Sequence, residues 1–301
     1  MFYAEPVYRP PSEHASLLVQ ATTGCSSAAV GRCHFCNSNV FKKRYTQKKF
    51  GVRKTSEIIA DLREARNLYG GGVEKIFLLD SNAMVMKTND LLDVLKACND
   101  YHPKLTQISC YACCEDILRK SIDELQALYS SGLNLVYLGL ESGDQAVLDL
   151  MNKGVSVEKQ VEAILKAKSS GMRTSVSVIL GLGGQKHSSN HAVNTGKALS
   201  AMAPTYAAAL TLMVVPDTML DHMIRDNLFD PVDSAADLLG EARTILDNIT
   251  TNEPVVFRAN HASNYFAIAG TLPYDTERMM SSIEEAIQDA ALLGVEEYRR
   301  L

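Results

Sequence analysis

At 301 residues, 46% hydrophobic and 22% charged, the chain has material for one large folded domain and is too apolar for a disordered one. A formal net charge of −5 argues against a nucleic-acid binder that works by neutralising phosphates. No apolar run reaches the ~18–20 residues a bilayer span needs, and residues 1–16 lack the basic and apolar regions of a signal peptide, so a cytoplasmic chain with no membrane partner is expected.

Residues 1–16 are extended, carry Pro6, Pro10 and Pro11, and are expected to lie across a surface. A two-beat rhythm follows. Leu17–Ala21 reads as a strand ending at Thr22-Thr23-Gly24-Cys25, and a long polar loop comes next. Thr55–Tyr69 has apolar residues at helical spacing (Ile58, Ile59, Leu62, Ala65, Leu68), with Thr55 or Ser56 as N-cap. Gly70-Gly71-Gly72 is a helix exit rather than a phosphate cradle, because a strand, Lys75–Leu79, comes after it. The alternation continues with a helix over Asp90–Cys98, a strand over Thr106–Tyr111 and a helix from Glu115 to Tyr129. Leu135–Leu140 is a strand, followed by helices over Asp144–Met151 and Val157–Ser169. Thr174–Leu180 and Tyr206–Met213 are strands, with helices near His191–Ala201 and Ala235–Ile249. Val255–Arg258 adds a strand, a dense polar run Arg258–Tyr265 follows, and a helix over Asp275–Leu293 closes the chain. Short apolar strands separated by helical crossovers predict an α/β protein with a parallel sheet covered by helices, either doubly wound or a barrel.

Seven cysteines (25, 33, 36, 98, 110, 113 and 114) are an odd set. In a reducing compartment they read as metal ligands, catalytic thiols or buried small hydrophobes rather than disulfides. Cys25, Cys33 and Cys36 have C-x7-C-x2-C spacing in the loop leaving the first strand. Three thiolates hold three irons of a [4Fe–4S] cube and leave the fourth iron open. A structural zinc wants a fourth protein ligand, and His34 is poorly placed to close onto the same metal. A zinc knuckle or three unrelated thiols is the alternative. Cys113 and Cys114 open a predicted helix, where a thiol is activated; a packed, inert role competes with an extra cluster ligand.

The run Thr22-Thr23-Gly24-Cys25 with Cys33-His34-Phe35-Cys36 resembles the radical S-adenosylmethionine superfamily, in which a cysteine triad follows the first strand of a partial (β/α)6 TIM-like barrel. The superfamily's usual first gap is three residues, and Ser26–Arg32 makes a longer excursion here. Tyr137–Gly143, containing Gly139-Leu140-Glu141-Ser142-Gly143, resembles the subgroup of coproporphyrinogen oxidase-like proteins, methylthiotransferases and the nitrogenase-cofactor assembly protein, and the match continues through Leu148, Met151, Lys153 and Gly154. The resemblance covers about residues 16–220. It implies domains of 1–16 (extended segment), 17–250 (barrel) and 251–301 (C-terminal strand–helix extension).

It also implies a [4Fe–4S] cluster on Cys25, Cys33 and Cys36, with S-adenosylmethionine on the open iron. Reductive cleavage then gives a 5′-deoxyadenosyl radical that acts on a small organic substrate. Oxygen sensitivity and a low-potential electron donor such as flavodoxin or ferredoxin come with that chemistry. The backbone of Phe35 is expected beside the adenine, and Asp80, Ser81 and Asn82 stand where the superfamily has a glycine-rich segment for the cofactor's amino group. A helix-capping turn is the alternative for those three. Tyr111, Glu141, Ser177 (with Ser175), Gly181, Leu182 and Met213 complete the expected cofactor contacts at other strand ends. For Glu141, capping the next helix is the alternative.

In the tail, Arg258, Asn260, His261 and Asn264 are expected to face substrate, with His261 and Tyr265 as proton donors. A surface loop with internal hydrogen bonds is the alternative. No segment resembles a cobalamin-binding or RNA-binding appendage, so cobalamin-dependent methylation and tRNA methylthiolation are not expected. A second function is an iron–sulfur or haem-binding chaperone sharing the barrel without turnover.

Overall fold

The computed structural model describes residues 1–39, 50–289, 293, 294 and 299. Ten strands are described: β1 Leu17–Gln20, β2 Thr22–Gly24, β3 Phe50–Val52, β4 Lys75–Leu79, β5 Gln107–Tyr111, β6 Leu133–Glu141, β7 Arg173–Leu180, β8 Tyr206–Thr211, β9 Val255–Ala259 and β10 Ile268–Leu272. Eight form one sheet in the order β1-β4-β5-β6-β7-β8-β9-β10. Pairing is parallel at β1–β4, β4–β5, β5–β6, β7–β8 and β8–β9 and antiparallel at β9–β10. The result is a mixed α/β fold with a mostly parallel sheet, consistent with a partial TIM-like barrel, and among the described residues the sheet does not close on itself. β2 and β3 make a separate two-stranded sheet.

The helices are α1 Ser26–Ala29, α2 Thr55–Tyr69, α3 Thr88–Tyr101, α4 Cys114–Arg119, α5 Ile122–Ser130, α6 Gln145–Leu150, α7 Val157–Ser169, α8 Gly184–Met202, α9 Met219–Arg225, α10 Ala235–Asp247 and α11 Thr276–Gln288. The expected closing helix ends at Gln288; its positions 290–292 lie outside the described residues. The helix expected from Glu115 to Tyr129 is instead two, α4 and α5. Lys120, which is buried, sends its ammonium to the Met86 carbonyl at 2.7 Å, and Ser121 then caps a fresh start through a capping box with Glu124. No helix among the described residues is long and apolar enough to cross a membrane.

The chain packs as two compact units. One comprises residues 1–32, 36–138 and 162–174. Its core is built by strand faces such as Ile76, Phe77, Leu78 and Leu79 together with the stripes Ile58–Leu62–Ala65 of α2 and Leu91–Val94–Leu95–Cys98 of α3, the i, i+3, i+4, i+7 spacing of a helix against a sheet. Cys98 and Cys110 are fully buried there, and burial pushes both thiols up to about 12, as befits small hydrophobes. The second unit comprises residues 33–35, 139–161 and 175–301. In it β7 alternates, Val176, Val178 and Leu180 buried and Ser175, Ser177 and Ile179 half-buried, and β8 does likewise.

The N-terminal segment does more than cross a surface. Glu13 is fully buried in the first unit. Its Oε1 accepts from Tyr137 at 2.6 Å and from Gln107 and Ser109 at 2.9 Å each, and its Oε2 accepts from Ser16. A buried carboxylate is stable only when hydrogen-bonded this fully. Glu13→Ala leaves those donors without their acceptor, and a loss of about 3 kcal/mol is expected by urea denaturation; an unchanged midpoint would show that the strap contributes nothing.

Candidate active site

In the first unit, the cysteine loop is anchored from the segment after β4. Gly24 N–H donates to Asp80 Oδ2 at 3.1 Å, Asp80 N–H donates to Thr22 Oγ1 at 3.3 Å, and Ser81 donates to Asp80 Oδ1 at 2.9 Å. Asn82, fully buried, donates to Ser26 Oγ at 3.0 Å and Asp116 Oδ2 at 2.6 Å and accepts from Cys113 N–H at 3.1 Å. The residues flanking Cys25 are therefore held from both sides. Arg32, at the far end of the loop, pairs with Glu115 at 2.6 Å. Cys113 Sγ lies 3.7 Å from Ser27 Oγ and 3.9 Å from Ser26 Oγ. Tyr8 is pushed up to about 12 by burial and then by the Cys36 and Asp80 charges. Tyr111 stands edge-on to Phe77 at 5.2 Å and to Tyr137 at 6.0 Å.

In the second unit, Cys33-His34 is fixed through its backbone. Cys33 N–H donates to Asn152 O and His34 N–H to Met151 O, both at 2.9 Å, while His34 O accepts from Leu220 N–H at 3.0 Å. Cys33 (φ 62°) and Asn152 (φ 49°) both take the left-handed conformation, which costs a non-glycine residue about 1–2 kcal/mol. Phe35 packs with Ile179 and Leu212 against a buried cluster that includes Val147, Met151 and Leu182. The expected contacts Phe35 and Leu182 are thus brought together.

Glu141 ends β6 at φ 66° and pairs with Lys153 at 2.9 Å. A Cβ on Gly139 would stand 1.9 Å from Glu141 Oε1, so the glycine makes room for a carboxylate folded back over the strand. Glu141 does not cap α6. Asp144 does, accepting from Val147 N–H at 3.2 Å.

Ser142 meets His191 Nδ1 at 2.7 Å. On its other side, His191 Nε2 is 3.9 Å from Glu241 Oε2, which accepts from Gly181 N–H at 2.6 Å. Spacing gave no cue to His191, but Glu241 carries one in hindsight: it is an acid on the buried stripe of α10 with Leu238, Ala242 and Ile245.

The polar tail is bonded to the end of β8. Asn264 Nδ2 donates to Ala209 O at 2.9 Å, Thr211 Oγ1 donates to Asn264 Oδ1 at 2.9 Å, and Thr211 N–H donates to Ser263 Oγ at 3.2 Å. His261 Nδ1 accepts from Ser263 N–H at 3.1 Å, leaving Nε2 as the protonated nitrogen of the neutral ring, and burial lowers its pKa. Tyr265 OH accepts from Arg299 at 2.7 Å, with the guanidinium 4.3 Å above its ring. Arg258 is exposed and lies over the Tyr206 ring at 5.9 Å; Asn260 is exposed, Met213 half-buried.

All seven cysteines are thiols. Among the described residues no three His, Cys, Asp or Glu side chains already form a metal-binding group. The fit of a cluster therefore rests on donor chemistry. Cys25, Cys33 and Cys36 are half-buried soft donors whose loop backbone is tied down, and three of them suit an iron–sulfur cube.

A mostly parallel α/β sheet is a fold class that carries its chemistry at the carboxyl ends of its strands. The sequence profile of the Radical SAM superfamily matches residues 19–193. The chain belongs to the Radical SAM superfamily, an enzyme family whose members bind a [4Fe–4S] cluster and S-adenosylmethionine. No curated protein matches it by sequence. Similar solved structures include methylornithine synthase, at TM-score 0.53 and 16% identity over 78% of this chain and 63% of that one. Another is coproporphyrinogen III oxidase from Escherichia coli, at TM-score 0.59 and 18% identity over 77% and 52%. A third is the radical S-adenosylmethionine methyltransferase TsrM from Kitasatospora setae, at 0.54 and 16% over 70% and 39%. The chain thus spans less than two thirds of the length of each, and these likenesses show a shared fold.

Burial holds the His191 ring down at about 4. The unfolded chain takes up this proton below about 6.5 while the folded chain refuses it, so the stability supplied by the neutral ring is lost as pH falls from about 6.5 toward 4. The ring is expected to show no imidazolium signal in a heteronuclear titration from pH 8 to 5; protonation at pH 6 would contradict its burial.

Proposed function

We propose that the chain cleaves S-adenosylmethionine reductively at a [4Fe–4S] cluster held by Cys25, Cys33 and Cys36, and directs the 5′-deoxyadenosyl radical at a small organic substrate. The observation that supports this most is the backbone stapling of Cys33 and His34 to the Asn152 and Met151 carbonyls. It holds the backbone on either side of the middle thiol, and the Phe35 ring that precedes Cys36 is seated on the buried cluster of Val147, Met151 and Leu182. All three cysteines lie inside the superfamily match.

A bound cluster supplies the electron that breaks the carbon–sulfur bond, and a low-potential donor such as flavodoxin or ferredoxin reloads it. The chain's own residues bind, orient and exclude. Glu141, aimed by Lys153 and by its left-handed backbone, offers a carboxylate to an ammonium or ribose hydroxyl. Ser81 and Tyr111 stand at strand ends in the first unit, and Asp80, buried with both oxygens bonded, serves the cofactor through the Cys25 loop it holds. Asn82, already engaged at both ends of its amide, acts through the Cys25 loop it holds. Ser177 on the half-buried face of β7, the Gly181–Leu182 turn and Met213 serve the cofactor from the second unit. Phe35 and Leu182 share an apolar wall that suits an adenine face. On the substrate side stand Arg258, Asn260, Asn264, Tyr265 and His261, which holds a proton on Nε2.

After anaerobic reconstitution, about four irons per chain are expected, and dithionite with S-adenosylmethionine should release 5′-deoxyadenosine. Replacing Cys25, Cys33 or Cys36 by Ala should abolish both. Iron-free protein, or full iron content after any one replacement, sinks the assignment. A cluster without any 5′-deoxyadenosine would instead favour a non-catalytic carrier.

A further inference from the structure

Glu241 and His191 make an odd pair for the interior of a helix–sheet interface. Both are buried, at 3% and 0% exposure. Glu241 Oε1 and His191 Nε2 lack a well-formed hydrogen bond, with the Ser188 side chain beside the carboxyl and the Ile179 backbone beside the ring as their polar neighbours. A buried polar atom left unpaired destabilises a fold, and an apolar pair of the same volume would normally serve stability better. Something other than packing has to explain the acid.

The explanation lies at Glu241 Oε2. It accepts the Gly181 N–H at 2.6 Å, and Gly181 sits at φ 81°, where the chain turns out of β7 and its amide leaves the strand ladder. The turn is completed by Gly184 N–H on Gly181 O at 3.0 Å. Its next residue, Leu182, is fully buried in the cluster on which Phe35 packs. From the other end, His191 reaches Ser142, whose hydroxyl also accepts the Asp144 N–H at 3.0 Å where α6 begins. A side chain from α10, sixty positions beyond the turn in sequence, therefore braces the end of β7, and its neighbour braces the end of β6.

We infer that Glu241 is a positioning residue: its carboxyl fixes the Gly181–Leu182 turn, and through Leu182 the ring of Phe35, in the conformation that receives S-adenosylmethionine. This rests on the cofactor reading proposed above. The carboxyl acts as a hydrogen-bond acceptor, so a side-chain amide oxygen can replace Oε2, with the amide NH2 taking the place of Oε1. An aspartate cannot, because it withdraws the acceptor by one methylene.

The test uses reconstituted full-length protein and two readouts that need no turnover. Equilibrium dialysis of radiolabelled S-adenosylmethionine should give Glu241→Gln within about twofold of wild type and Glu241→Asp weakened about tenfold or more, at unchanged iron content and melting temperature. Hydrogen exchange of the cofactor-free protein should be about tenfold faster over residues 181–184 in Glu241→Asp than in Glu241→Gln, and unchanged over 206–211. Should Glu241→Asp fail to fold, Glu241→Gln alone decides through the same pair of readouts: loss of affinity or of protection at 181–184 overturns the inference. Equal affinity and equal exchange in wild type and Glu241→Asp overturn it too, while the functional reading survives. Wild type that carries iron but binds no S-adenosylmethionine overturns both.

Discussion

Two main-chain hydrogen bonds, from Cys33 and His34 to the carbonyls of Asn152 and Met151, set the frame for what the second unit does. They satisfy acceptors that any helix leaves open at its carboxyl end, and they spend no side chain in doing so. The loop segment is held by atoms every residue possesses, so its hold does not depend on which side chains the segment carries. The left-handed backbone at both Cys33 and Asn152 is the strain this arrangement carries.

The same division of labour recurs in the first unit with polar side chains in the anchoring role. Asp80 and Asn82 are almost fully buried, and each uses its oxygens or amide on the backbone and hydroxyls beside Cys25 and Cys113. Their carboxylate and amide look like ligand contacts in the sequence and are also internal scaffolding. A buried polar group is tolerated when its partners are complete, and here the partners are the loops that a cofactor would need to find in place.

The sequence was most legible where a period could be counted. α2, β4 and α7 fall on the expected residues, and the crossover rhythm foretells a mostly parallel sheet. β10 was not foreseen, because Ile268-Ala-Gly-Thr-Leu272 is short, holds a glycine and lacks alternation; its strand character comes from pairing with β9. The break between α4 and α5 depended on Lys120 finding a carbonyl far away in sequence. In the site, the cysteines, Phe35 and Glu141 announced themselves by motif. His191 did not, and Glu241 shows only as an acid on a buried helical stripe, since the role of each depends on a partner at long range.

Glu13 bears on how the protein can be handled. A strap whose carboxylate joins Ser16, Gln107, Ser109 and Tyr137 is part of the interior although it precedes the first strand. Trimming the chain back to Leu17 to obtain a minimal catalytic fragment would remove a piece of the core. Any inactivity of such a fragment would then report on folding and say nothing of where the chemistry resides.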